Sequence, residues 1–475
     1  MELDAFQRAA ATDPSEHLSI EAPAGSGKTR VLVERVAWLV EHGHAPAGRA
    51  ARADLCTSGG AGLRERLAAR GLGAVPALTF HAWAYQLLRS IHTTSFRLLT
   101  DVERTTLLRR LLISLARDGT HGALFRALLV ERNWSPTFAA RELLATLETL
   151  RSFGRSSGDL AVHCARATND GRGTFALVLL ELWRRFEAVL DRHSAYDFPL
   201  LVRRAAERLA NWPTRAAPAT RLAHVLIDEA QDASRAELDL ITGAVRTTVG
   251  AGAATTWVGD PNQSVYAWRG AAPLAQANLT RTQLRCCYRS DARVVRLVNA
   301  YLHSTLRHAA VPAVAVRPAA RTPQLVLHPR YGEPAALRTV LTYLAHHGVA
   351  GDDILVLARC HAPLERLAEV EQRFRGVRFA TVHAAKGLEA RAVILVGVSD
   401  DRFCFPLPAR TSPHPLVRAL ASYDQAAEER RLFYVALTRA RDHLILLSDA
   451  DRLSPLLGNV PRRTYRRASM AALPT

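Results

Sequence analysis

One lysine and two acids in this chain have neighbours suited to phosphate chemistry. Lys28 ends a run of small residues, Ala22-Pro23-Ala24-Gly25-Ser26-Gly27, and is followed by Thr29 and Arg30. Glycines at 25 and 27 let backbone N–H groups turn inward around phosphate oxygens. A helix beginning there adds positive potential, Lys28 a point charge, and Thr29 a hydroxyl for Mg²⁺. Such a loop usually opens on glycine, a place taken here by Ala22. The acids, Asp228 and Glu229, close the apolar run Leu222-Ala223-His224-Val225-Leu226-Ile227. An acid at the end of a strand can hold Mg²⁺, directly or through water, and its neighbour can accept a proton from attacking water.

Lysine usage singles out the same position. Of 62 Lys and Arg residues, only Lys28 and Lys386 are lysine. A chain this averse to lysine keeps it where a compact, flexible ammonium cannot be exchanged for a planar guanidinium fork. Both lysines fall inside motif-like strings.

The elements that must position these groups follow from hydrophobic periodicity. Leu18 and Ile20 predict a short strand ahead of the loop, and the spacing from Val31 to Val40 predicts a helix after it. Residues 41–78 carry weak periodicity, and residues 79–88 enter a helix. Residues 101–195 read as mostly helical, with Leu107, Leu108, Leu111, Leu112 and Leu115, then Leu143, Leu144, Leu147 and Leu150, at helical spacing. Strands are predicted over 222–227 and up to Asp260, and a second strand–helix series follows at 324–327, 353–357, 392–396 and 444–447. Strands alternating with helices imply parallel α/β sheets with ligands at the carboxyl ends of the strands. The expected organisation is two α/β lobes: residues 1–89 and 197–280 form the first, a helical insertion over 90–196 interrupts it, residues 281–453 form the second, and 454–475 are a solvated basic tail.

Composition narrows the partners. A formal net charge of +18 points to a polyanion. No apolar run reaches the length of a membrane span, so no membrane role is expected. The N-terminus is polar from its second residue, and the six cysteines show no metal-ligand spacing. A reducing, cytoplasmic setting is therefore expected.

The string Val258-Gly259-Asp260-Pro261-Asn262-Gln263-Ser264-Val265-Tyr266-Ala267-Trp268-Arg269-Gly270-Ala271 resembles motif III of the superfamily 1 helicases of the UvrD/Rep/PcrA type. Other strings resemble that family's motifs in its order. They are Phe6-Gln7-Arg8 ahead of the phosphate loop, Thr79-Phe80-His81, Tyr288-Arg289-Ser290, residues 381–389 and residues 428–440.

The resemblance implies two RecA-like P-loop lobes and ATP with Mg²⁺ bound in the cleft between them. Gln7 would read the adenine edge, and Arg30 and Tyr288 would sandwich the ring. Ala24, Gly25, Ser26, Gly27, Lys28 and Thr29 would cradle the phosphates, Thr29 and Asp228 would hold Mg²⁺, and Glu389 would touch the ribose. Glu229 would activate water, Gln263 would sense the γ-phosphate, and Arg289 and Arg439 would be arginine fingers from the second lobe. DNA contacts would come from Thr79, Phe80, His81, Tyr266, Trp268, Arg269, Thr381 and His383.

Three departures stand out. Residues 54–62 lack the aromatic and lysine of the family's motif Ia, and Cys286-Cys287 replaces a polar pair. Only 91 positions separate Ser290 from Thr381, too few for the extra 2B subdomain of larger relatives. The implied activity is an ATP-dependent 3′-to-5′ helicase or translocase on single-stranded DNA or a 3′-tailed duplex, in a DNA repair setting. The alternative is a nucleotide-gated DNA-binding subunit of a recombination or phage-defence complex with a nuclease partner. Lys28→Ala should abolish phosphate release from ATP; normal turnover would refute the loop's assignment.

Overall fold

In the computed structural model, the described residues are 2–43, 53–54, 60–91, 96–166, 173–212, 222–247, 253–267, 270–271, 279–305, 312–408, 415–420, 424–458 and 460–469. The first lobe is built on four parallel strands in the order His224–Ile227, Ala254–Gly259, His17–Glu21, Thr280–Gln283. All four residues of His224–Ile227 are buried, as a parallel strand covered on both faces requires. In His17–Glu21 the buried residues are Leu18 and Ile20. Because the strands are parallel, three of their carboxyl ends fall along one edge. Glu21 leads into the loop before Lys28, Ile227 into Asp228, and Gly259 into Asp260.

Helix Lys28–Glu41 starts directly from the loop. It buries Val31, Leu32, Val36 and Leu39 in the same core as Leu18, Ile20, Leu226 and Val258. Burial on this face pins the helix N-terminus to the strand edge, which fixes where the amides around Lys28 lie.

The insertion comprises helices Asp101–Arg117, Gly119–Arg132, Pro136–Ser152, Ser157–Arg166 and Gly173–Arg192. Their starts are set by caps: Thr100 with Glu103 in a capping box, Asp118, and Ser135 before Pro136. The predicted leucines at 108, 112, 115, 143, 147 and 150 pack with Trp183 and Phe186 in one core. A buried ion pair of 2.6 Å joins Arg151 to Asp197, the N-cap of helix Phe198–Ala210, tying the insertion to the first lobe. Leu416 and Val417, on the second lobe's helix Pro415–Leu420, enter the insertion core.

The second lobe has six parallel strands in the order Arg378–Thr381, Ile354–Ala358, Ala390–Leu395, Ala440–Asp449, Gln324–His328, Arg466–Ser469. Described residues between Asp291 and Thr381 form helices and strands of this lobe. Two α/β lobes with a helical insertion in the first match the expected fold.

The expected solvated tail is corrected by the structure. Leu456, Leu457 and Val460 join the second lobe's core. Arg466–Ser469 then pairs in parallel with Gln324–His328. Apolar side chains and an unpaired strand edge draw this segment back onto the sheet.

Phe80 also departs from its expected DNA role. It is 0% exposed, in a core with Trp83, Leu87 and Trp257. The helix Phe80–Ile91 turns this ring inward, so no base can stack on it. Phe80→Ala should cost about 3–5 kcal/mol of stability, read from urea unfolding. Affinity for single-stranded DNA, measured well below the melting temperature, should be unchanged; selective loss of that affinity would restore a DNA role.

Candidate active site

The phosphate loop requires its glycines. Gly25 and Gly27 have φ of +76° and +82°, the left-handed region that side chains disfavour. A Cβ on Gly25 would lie 2.7 Å from Cβ of Arg289, and one on Gly27 would lie 2.8 Å from Nε2 of Gln7. The loop is therefore touched from two directions by residues distant in sequence.

Gln7 sits on helix Ala5–Ala11, whose start is a capping box between Asp4 and Gln7. Its Nε2 donates to the Ser26 carbonyl at 2.9 Å. From the second lobe's side, the Tyr288 amide donates to the Gly25 carbonyl at 2.9 Å, and its hydroxyl donates to Asp4. Gln7, Tyr288 and the loop thus form one wall. Ala24 is buried in it, and Thr29 and Arg30 are half-buried at the start of the helix. Oγ of Ser26 is buried without a hydrogen-bond partner. A phosphate oxygen is the acceptor this donor fits.

The acids at the next strand end are buried together. Burial, then the charge of Glu229, pushes the Asp228 carboxyl up to about 7, against the pull of Lys28. Burial also opposes the charge on Glu229, but Lys28, Lys386 and Arg439 outweigh it and hold that carboxyl below its ordinary range. Glu229 takes a left-handed φ of +49° and accepts from Nε2 of Gln231 at 2.6 Å. Neighbouring carboxylates thus have opposite proton affinities, one close to neutrality and one ionised. Among the described residues no group of three His, Cys, Asp or Glu side chains is arranged to hold a metal. A hard cation held by Asp228 and the Thr29 hydroxyl would therefore complete its shell with phosphate and water, as Mg²⁺ does. The Asp228 carboxyl, raised by burial although it accepts the Glu229 amide at 2.9 Å, fits such a cation.

The second lobe supplies the opposing charges. Arg439 follows helix Gln425–Leu437 and is 2% exposed. Its guanidinium donates to Oε1 of Gln263 at 3.1 Å, to the Val435 carbonyl at 2.9 Å and to Oγ1 of Thr438 at 3.0 Å. All are neutral acceptors. Burial and the nearby charge of Arg289 depress the Arg439 guanidinium to about 9. Arg289 itself pairs with Glu389 and donates to the Thr438 carbonyl at 3.2 Å. Gln263 donates through Nε2 to Asp260 at 2.7 Å, and the Tyr434 hydroxyl donates to the same Asp260 oxygen at 3.1 Å. Asp260 is thereby bound from both lobes.

Lys386, the second lysine, closes the other side of this bridge. Its ammonium pairs with Asp232, donates to the Gln263 carbonyl at 3.0 Å and lies 4.8 Å from the centre of the Tyr266 ring. A guanidinium fork would not converge on three such different partners from one point.

The proposed DNA contacts are less uniform. Tyr266 and His383 bring their rings to 6.1 Å across the lobes. Thr381 is nearly buried, and its hydroxyl accepts from the Ala384 amide at 3.3 Å; the Thr79 hydroxyl caps helix Phe80–Ile91 at the Ala82 amide, 3.2 Å away. His81 packs edge-on against Phe198 at 5.3 Å, and burial lowers its imidazole pKa. Trp268, Arg269 and residues 55–59 lie outside the described residues. Asp4, Asp232, Asp260 and Tyr434 were not singled out from residue type. Asp260 and Tyr434 lie inside the strings that carry the resemblance, so position within a motif is their available signal, and Asp232 follows the paired acids by three residues.

Two family models match the chain. The UvrD/REP helicase N-terminal domain covers residues 3–282, and the UvrD-like helicase C-terminal domain covers residues 361–450. The chain belongs to the UvrD/Rep helicases. Among its relatives, DNA helicase IV of Escherichia coli (strain K12) is 27% identical over 96% of this chain and 69% of that protein. ATP-dependent DNA helicase UvrD2 of Mycobacterium tuberculosis is 26% identical over 94% of this chain and 78% of that protein. A probable DNA helicase of Mycoplasma pneumoniae is 24% identical over 94% and 83%. This UvrD/Rep helicase is an ATP hydrolase acting on DNA. No helix among the described residues is long and apolar enough to cross a membrane.

In this helicase, burial pushes the Asp232 carboxyl up to about 6, with Lys386 opposing the rise. An unfolded Asp titrates near about 3.9. The folded state therefore holds the proton more tightly. The group's contribution to stability is present below about pH 4 and is lost as pH rises through about 6. Between about pH 5 and about pH 7.5, urea unfolding of the native protein should lose about 1 kcal/mol more than Asp232→Asn loses. Equal losses would exclude the raised carboxyl.

Proposed function

We propose that this protein translocates 3′ to 5′ on single-stranded DNA, driven by ATP hydrolysis between its two lobes. The observation that carries hydrolysis between the lobes is Arg439, a buried guanidinium from the second lobe whose hydrogen-bond acceptors are all neutral, held against Gln263 of the first; the direction rests on the family resemblance alone. Burial and the charge of Arg289 outweigh the pull of Glu229 and Asp260 on this guanidinium, so a further anion beside it is favourable, and the γ-phosphate of ATP is the anion the facing loop is built to take.

In this reading the loop amides from Ala24 to Gly27 and the Lys28 ammonium bind the phosphates. Gln7, Arg30 and Tyr288 hold the base, and Glu389 is shared between the ribose and Arg289. Thr29 and Asp228 would hold Mg²⁺, which when bound neutralises phosphate charge. Glu229, kept ionised by the surrounding cations, orients the attacking water and takes its proton. Arg289 and Arg439 stabilise charge on the transferred phosphoryl group, an effect worth roughly 10³–10⁵ in rate. Gln263 contacts Arg439 by its side chain and Lys386 by its carbonyl. Loss of the γ-phosphate would therefore loosen the bridge between the lobes and let the cleft open. Tyr266, immediately downstream, passes that motion to a base stacked beside it, and His383 faces it from the second lobe.

The span between Ser290 and Thr381 leaves little room for a 2B subdomain. Translocation should therefore be retained while the isolated protein separates duplexes poorly. The decisive measurement is ATP hydrolysis with and without oligo(dT), paired with stopped-flow translocation and unwinding assays. Strong stimulation and directional translocation with weak unwinding are expected. Absence of stimulation would replace the motor with a nucleotide-gated DNA-binding subunit.

A further inference from the structure

We propose that the outer edge of the second lobe's sheet is a separate docking surface for the phosphates of duplex DNA. The sequence itself isolates this region. Between Asp291 and Glu333 there is no acidic residue, and none follows Asp451. The fold brings these two stretches together. Arg466–Ser469 pairs with Gln324–His328, and the Arg466 amide donates to the Pro323 carbonyl at 2.9 Å. Beside Pro323, the Thr322 hydroxyl accepts from Arg293, on the first turn of helix Ala292–Thr305. The short turn Arg462–Thr464 packs against the same helix.

Arg293 and Arg296, three residues apart on one helix face, are exposed, as is Arg321 in the adjoining loop. Across from them Arg462, Arg463, Arg466 and Arg467 are exposed too. None of the seven guanidinium groups pairs with a carboxylate among the described residues, the buried Asp291 accepting backbone amides, those of Arg293 and Arg321 among them, whereas other surface arginines do: Arg70 with Glu34, Arg204 with Asp191, Arg235 with Asp239. A concentration of unmatched, like-charged side chains is unfavourable by itself and is relieved by a polyanion.

Two features select the duplex. Single-strand sites interleave cations with stacking rings, but Tyr301 on the helix is buried and Tyr465 before the edge strand is half-buried. The patch therefore offers contacts to phosphates and not to bases. It also lies away from the motor's own track. Arg466–Ser469 and Arg378–Thr381 are opposite edges of a six-stranded sheet, a separation of about 24 Å at the usual strand spacing. A surface at that distance can hold the paired region of a substrate whose single strand runs past Tyr266 and His383. The proposal rests on DNA being the substrate.

The test compares a blunt duplex with oligo(dT) of equal length, by fluorescence anisotropy across a salt series. Two full-length variants are used: R462Q/R463Q/R466Q/R467Q, and R293Q/R296Q/R321Q on a different element. Each should weaken duplex binding about tenfold or more and reduce its log–log salt slope by roughly two to four. Oligo(dT) affinity and oligo(dT)-stimulated ATP hydrolysis should stay as in the native protein. Should the first variant fail to fold, the second decides. Unchanged duplex binding overturns the proposal. So does an equal loss on oligo(dT), which would merge the patch with the single-strand track, or equal competition by polyglutamate, which would make it a site for acidic protein. Failure of the motor reading shows separately, as ATP hydrolysis by the native protein that DNA does not stimulate.

Discussion

The buried charge of Arg439 constrains the rest of this molecule. This guanidinium is 2% exposed and donates only to neutral oxygens, with the charges of Glu229 and Asp260 close by. It is held there because the second lobe's core surrounds helix Gln425–Leu437 and strand Ala440–Asp449, between which it lies. The cleft thus gathers Arg439, with Arg289 alongside and Lys28 on the facing loop, around the Glu229 carboxylate of the first lobe. Nearby carboxylates offset part of the cost of burying these like charges, and the lowered proton affinity of Arg439 carries the rest.

The acids opposite answer to the same field. Asp228 and Glu229 are neighbours in sequence, yet burial raises one while three cations hold the other down. That divergence needs the two lobes together, because Lys28 belongs to the first and Lys386 and Arg439 to the second. Parallel strand topology makes the meeting possible. It delivers the phosphate loop, the acids and Asp260 to one edge of the first sheet, where the second lobe can reach all three. Tyr434 and Gln263 then converge on Asp260, and Lys386 on Asp232, so the bridge between lobes is made of hydrogen bonds adjacent to the reacting groups.

Much of this was legible in residue order. The strand before the loop, the helix after it, the leucine spacing of the insertion and the strand series of both lobes all appear where periodicity places them, because burial on one face imposes a repeat that a single chain carries locally. The burial of Phe80 is not legible in the sequence, for the opposite reason. An aromatic beside Thr79 and His81 looks available to a base, and only packing against Trp83 and Trp257 turns it inward. The basic end hides its anchoring in the same way: its arginines are conspicuous, while the three apolar residues that anchor it, Leu456, Leu457 and Val460, are not.

By itself the sequence determined the chemistry available: a phosphate cradle at Gly25–Lys28, paired acids at Asp228 and Glu229, arginines at 289 and 439, and two lysines kept against the trend of the whole chain. These are local properties of residue type and spacing. Tertiary structure alone decided which charges meet. Lys386 reaches Asp232 across 154 positions and Arg439 reaches Gln263 across 176. Electrostatic energy depends on distance in space and on exclusion of water, and neither is encoded in separation along the chain.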